Sequence, residues 1–114
     1  MKHTQEEATH KSKHGIDITV YDTDTDAIGF VCVETEKGHF QEFSDSESMF
    51  MYYVLEGEGV FFLNGAETAV KAGDLLVIPP KTNIYYVGKL KMTLTTVPGW
   101  KAENEVHVRY IDEK

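Results

Sequence analysis

Acid–base chemistry on a bound organic molecule needs a base on one side of the substrate and a proton donor on the other, both within hydrogen-bond reach. In this 114-residue chain Glu42 can serve as the base and Tyr52 or Tyr86 as the donor. No other pairing can be assembled from side chains expected to share one cavity. Ser44 and Ser46 follow Glu42 on the same strand face and add hydroxyls to it. His39 falls beside a Glu-Lys-Gly turn, on the face opposite Glu42, and reads as a surface residue. His107 alternates with Val106 and Val108 and reads as the exposed member of an edge strand. Cys32, the single cysteine, lies in a β-branched run with no neighbouring base, which makes it a buried thiol and not a nucleophile.

Two metal-like patterns fail on their own terms. His10 and His14 stand four apart, as two ligands on a helix do, but the surrounding residues offer no apolar face to hold a helix. Asp22 to Asp26 begins like a calcium loop, yet Ala27 replaces the required glycine and Val33 the bidentate glutamate.

The elements that position these residues are strands. Ile16, Ile18 and Val20 alternate with polar residues, the mark of a half-buried strand. Residues 28–35 are rich in β-branched side chains, and Glu36-Lys37-Gly38 turns that strand back into 39–43. The run 49–55 is apolar, and Gly57 and Gly59 are expected to break it. Asn64-Gly65 between two apolar stretches is a strong hairpin signal. Pro79-Pro80 ends a strand over 75–78, because proline cannot donate to a ladder. Three more strands are expected over 84–87, 90–97 and 106–111. Many short strands without helical periodicity predict an all-β fold, an antiparallel sandwich or barrel of the jelly-roll kind. Residues 1–14 lack any apolar period and read as a flexible N-terminal arm, with 15–114 as the single barrel domain.

Composition bounds the partners. Hydrophobic residues make up 41% and charged residues 26%, ordinary values for one globular domain. A formal charge of −8 suits neither nucleic acid nor an anionic membrane as partner. One cysteine and no apolar leader point to a reducing, cytoplasmic setting. Strand 49–55 is apolar on both faces, with Phe50, Tyr52 and Val54 on one and Met49, Met51, Tyr53 and Leu55 on the other. The outer face needs its own cover, most simply a second copy, so a homodimer is expected.

Laid against spacing, Gly38, Ser44, Ser46, Phe50 and Gly57, and then Gly73, Pro79, Lys81, Ile84 and Gly88, fall on the two sequence motifs of the cupin superfamily. Fifteen residues separate Gly57 from Gly73, as in compact bacterial cupins. Over roughly residues 28–100 the chain resembles that family, and the resemblance implies an all-β, cupin-like jelly-roll β-barrel of two antiparallel sheets. The framework glycines and the proline are in register. The four positions that usually hold metal carry Ser44, Ser46, Phe50 and Ile84, which cannot supply imidazoles and a carboxylate converging on one point. No metal or other cofactor is therefore expected.

Strand alternation turns Ile84 and Tyr86 inward, with Leu90, Met92 and Leu94 on the next strand. Together with Phe50 and Tyr52 they form an aromatic and aliphatic wall with a few hydroxyls, suited to a small organic molecule. The expected ligand-binding set is Glu42, Ser44, Ser46, Phe50, Tyr52, Ile84, Tyr86 and Met92. Trp100, after a strand end, can cap the barrel mouth. The leading expectation is a metal-free barrel that binds a small organic molecule. One alternative is a metal-independent isomerase or epimerase; the cupin-like sugar-nucleotide epimerases use an inward histidine as base, and none is evident here. Another is a metalloenzyme using Glu42, His39 and Tyr52 as unorthodox ligands.

Overall fold

The computed structural model describes residues 1–112 and is all-β apart from two single-turn 3₁₀ helices. Nine strands run in order: β1 (Thr9–Lys13), β2 (Ile16–Tyr21), β3 (Gly29–Thr35), β4 (Gly38–Asp45), β5 (Met49–Leu63), β6 (Ala66–Lys71), β7 (Leu75–Ile78), β8 (Ile84–Val97) and β9 (Glu105–Tyr110). Every pairing is antiparallel.

Two long strands make the barrel. The first part of β5 pairs with the last part of β8 (Met49↔Val97 to Val54↔Met92), alongside β7 on one side and β3, β2 and β1 on the other. The last part of β5 pairs with the first part of β8 (Gly59↔Gly88 to Leu63↔Ile84), alongside β6 and then β4 and β9. The two walls are thus one continuous ladder, bent where glycines of both strands meet. A Cβ on Gly57 would stand 2.0 Å from the Lys89 carbonyl oxygen, and one on Gly88 2.6 Å from that of Glu58. Both residues have positive φ, +90° and +123°, so the bend needs glycine twice over. The breaks expected at Gly57 and between Val87 and Leu90 are therefore bends within strands that continue.

The core between the walls holds Phe43, Phe50, Tyr52, Val54, Phe61, Ile84, Tyr86 and Met92, all nearly inaccessible. Tyr52 packs edge-on against Phe61 and Tyr86, and Phe61 stacks on Tyr86 at 4.6 Å.

The N-terminal segment departs from expectation. Residues 9–13, expected within a flexible arm, form β1 and pair with β2 through a His14-Gly15 turn. Both turn residues have positive φ, 50° and 90°, the two-residue hairpin geometry that suits strand twist. The Phe40 N–H donates a hydrogen bond to the His14 carbonyl at 2.7 Å and ties the turn to β4. Backbone pairing, not an apolar period, holds this segment. Residues 113 and 114 of the expected domain lie outside the described residues.

Candidate active site

A cavity of about 280 Å³ opens between the walls. Its lining is mostly aliphatic and aromatic, from Ile16, Ile18 and Val20 of β2, Val31 and Val33 of β3, Phe43, Phe50 and Leu94. Its polar lining includes Lys11, Asp22, Thr23, Thr25, Asp26 and Thr96, besides the groups that follow. His39 and Tyr86 come from one wall, directly paired across β4 and β8, and Tyr52 comes from the other. Lys13 reaches the cavity from β1, whose register puts it opposite the core residue Ile16. Glu105 and Trp100 border the mouth, joined by a hydrogen bond from Trp100 Nε1 to Glu105 Oε1 at 3.3 Å.

His39 is the unusual member. It is 4% exposed, and neither ring nitrogen has a hydrogen-bond partner. Aromatic rings surround it instead: Phe43 at 5.1 Å, Tyr86 at 5.5 Å and His14 at 6.0 Å between centroids. Burial, then the nearby charges of Lys13 and His14, lowers its pKa to about 3, so the ring is neutral at physiological pH and has a free lone pair. Burial also raises the phenol pKa values of Tyr52 and Tyr86, with the neighbouring Tyr86 and Glu105 adding to the effect on Tyr52. Both tyrosines are protonated donors. Lys13 makes no ion pair with a carboxylate among the described residues; its ammonium rests 5.7 Å from the Trp100 ring centre.

The residues expected to bind ligand divide into two groups. Phe50, Tyr52 and Tyr86 line the cavity. Ile84 and Met92 are buried in the core without bordering it. Ser44 is buried outside the cavity, and half-buried Ser46 donates its backbone N–H to the Asn104 carbonyl at 2.9 Å. Glu42 is buried but turned away from the cavity, where its Oε1 accepts a hydrogen bond from Arg109 Nε at 2.8 Å. The Arg109 guanidinium also lies 5.6 Å from the Tyr85 ring, itself stacked on Phe62.

The two faces of β4 are therefore the reverse of expectation: His39 looks into the barrel and Glu42 looks out. The register of β4 shifts against β8 between His39 and Phe43, and against β9 between Glu42 and Phe43. Alternation cannot be carried through such a stretch from Ser44 back to His39. The pairing of Glu42 with a tyrosine across a substrate falls with this correction, and so does convergence of Glu42, His39 and Tyr52 on a metal. Ser44, Ser46, Phe50 and Ile84 do not form a metal-ligand set either. Among the described residues no three His, Cys, Asp or Glu side chains come together to hold an ion.

The other candidates are placed without ambiguity. Half-buried Cys32 has a raised thiol pKa, through burial first, with Lys91 opposing and Glu34 adding, which leaves it unreactive. His107 is exposed on β9 and bonds to Gln41 Nε2 at 2.9 Å. His10 sits in β1, bonded to Thr19, and not on a helix. No helix is long and apolar enough to cross a membrane among the described residues.

Known proteins share this architecture. A family model described as a cupin domain matches residues 29–98. The structure of Pac13, described as a nucleoside dehydratase, is 44% identical and superposes with a TM-score of 0.96, covering 98% of this chain and 93% of that one. Structures of the Streptomyces protein with uridine bound superpose with TM-scores of 0.95 to 0.96 at 43% identity, over 97 to 98% of this chain and 92 to 93% of that one. Those proteins carry, one each, a histidine-to-glutamine and two tyrosine-to-phenylalanine substitutions. The substituted histidine and tyrosines lie thirteen and then thirty-four positions apart, the separations of His39, Tyr52 and Tyr86 in this chain. An uncharacterized protein of Methanocaldococcus jannaschii is 38% identical over 58 residues, 47% of this chain and 46% of that protein. The chain thus spans about half the length of the curated relative it matches.

Proposed function

The chain belongs to the cupin domain family, and from that premise we propose that it is a metal-independent lyase that removes water from a nucleoside-like substrate held in the barrel. The observation that carries this reading is His39: a buried, neutral imidazole with no partner on either nitrogen, beside one phenol and across the cavity from another. The match in spacing to the three residues substituted in the uridine-bound Streptomyces structures supports the substrate class.

Dehydration removes a proton from one carbon and a hydroxyl from its neighbour. His39 takes the carbon-bound proton, the electron pair forms the new C=C bond, and the C–O bond breaks. Tyr52, on the opposite wall, gives its phenolic proton to the departing oxygen, which leaves as water. The proton on His39 then returns to the tyrosinate as product is released. An imidazole held near pKa 3 is a weak base, so the carbon acid must be activated by an adjacent electron-withdrawing group such as a carbonyl. Negative charge then develops on that group, and the Lys13 ammonium, which borders the cavity together with Lys11, is placed to stabilise it. Tyr86, paired with His39, orients the substrate by hydrogen bonding.

The test is direct. Uridine binding is measured by calorimetry, and water loss is followed by mass spectrometry on nucleosides and on nucleosides oxidised at a ribose hydroxyl. His39→Gln should keep the fold and bind ligand but lose about a hundred- to ten-thousand-fold in turnover. A wild-type protein that neither binds uridine nor dehydrates any member of the panel overturns the reading.

The same reading takes the protein as a homodimer. Exposed Met49, Tyr53 and Leu55 of β5 adjoin exposed Leu75 and Val77 of β7 in one ladder, forming an apolar sheet face beside the cavity wall. A second copy of the chain covers it most simply.

A further inference from the structure

Thr96 is 1% exposed, and its Oγ1 has no hydrogen-bond partner. It borders the same cavity as His39, from the other wall, paired with Gly29 of β3 and Phe50 of β5. Tyr52 is paired with Leu94, two residues before Thr96. Thr96 therefore stands one inward-facing step beyond the catalytic tyrosine, about 7 Å of strand, toward the Gly99–Trp100 turn.

Gly29 lets the Thr96 hydroxyl and the Gly99–Trp100 backbone approach β3 closely. A Cβ there would come within 2.4 Å of Thr96 Oγ1 and 3.4 Å of the Gly99 Cα and the Trp100 nitrogen. Thr96, with its buried hydroxyl, and the aromatic residues Phe50 and Trp100 all border the cavity. A flat ring with a polar edge fits that combination: aromatic surface for its faces and one hydrogen-bonding group for its edge. A buried hydroxyl without a partner destabilises the empty protein, and a ligand that satisfies it removes that penalty on binding.

We propose that Thr96 selects the heterocycle of the substrate, its hydroxyl hydrogen-bonding the polar edge of a pyrimidine ring while the sugar reaches toward His39, Tyr52 and Tyr86. This rests on the nucleoside reading above. A threonine hydroxyl both donates and accepts, so it matches either a ring carbonyl or a ring N–H.

Two probes separate ring shape from ring polarity: uridine, and a riboside carrying phenyl in place of uracil. Their affinities are measured by calorimetry for the wild type, Thr96→Val and Thr96→Ser. The wild type should prefer uridine by about tenfold, the effect of one neutral hydrogen bond. Thr96→Val should erase the preference while its Tm stays level or rises, because a methyl replaces an unsatisfied hydroxyl. Thr96→Ser, which keeps the hydroxyl, should retain the preference. Uridine preference surviving in Thr96→Val overturns the role of Thr96 and leaves the nucleoside reading standing. A wild type that binds uridine not at all overturns both.

Discussion

Burying an imidazole with both nitrogens unsatisfied is costly, on the order of 1–3 kcal/mol for each unpaired group. Polar groups in that state mark places where reactivity, not stability, sets the residue. For His39 the cost has a measurable pH signature. In the unfolded chain the ring titrates near 6.5, whereas in the folded protein it is held down to about 3. Between those values the unfolded chain binds a proton that the folded protein does not. The contribution of His39 to stability is therefore intact above about pH 6.5 and is lost progressively as pH falls toward 3, by at most on the order of 5 kcal/mol. His39→Gln removes this component, so its Tm should depend less on pH across that window than the wild type's. Equal slopes would show that His39 is not the buried neutral group described here. An NMR titration of the ring gives an independent check, with the wild-type His39 signal unmoved between pH 8 and 5 (the ordinary imidazole range).

The elements that matter most are β5 and β8, each of which serves both walls. Their shared bend brings Tyr52 on one wall and Tyr86 on the other to 5.9 Å between ring centres, and so decides whether a two-sided site exists. Gly88→Ala tests the bend. Its positive φ and the close Glu58 carbonyl leave no room for a methyl, so the barrel must open locally or the chain must strain. The expected cost is roughly 1–3 kcal/mol or more, seen as a lower urea midpoint, together with weaker uridine binding. Gly65→Ala is the control: a Cβ there meets nothing within 4 Å, so only its own turn strain should register and ligand affinity should hold. Most strand limits can be read from the chain, since alternation and Asn-Gly or Pro-Pro punctuation are local. Continuity through Gly57 and Gly88 cannot, because a glycine in a strand reads as a stop until a partner strand closes around it. The face of β4 is hidden for a related reason, as bulges shift register without leaving a mark in composition.

On the scale of the whole molecule, the outer face of β5 and β7 is apolar and open. Leu75 is 60% and Val77 55% exposed, next to Tyr53 and Leu55 on the neighbouring strand. These side chains point away from the cavity, so a charge placed among them breaks an interface without touching the site. Leu75→Glu should convert a dimer to a monomer in light scattering while leaving uridine affinity within about twofold, since buried apolar area drives such contacts. A wild type that is already monomeric at micromolar concentration would remove the basis for a homodimer. At the other end of the sheet, β1 carries Lys13 over the cavity, which makes the N-terminal segment part of the site.

The amino-acid sequence by itself pointed to an all-β fold and, through its resemblance to the cupin motifs, to a barrel whose usual metal-ligand positions carry Ser44, Ser46, Phe50 and Ile84. Each of these follows from residue type, period and spacing, which are local properties. The inward histidine, the outward Glu42, the orphaned Thr96 hydroxyl and the incorporation of β1 were decided only by tertiary structure. They depend on which strand lies opposite which, and on bulges that set the direction of a side chain. The candidate site is therefore a product of pairing: β8 places Tyr86 beside His39, and the barrel walls bury the imidazole.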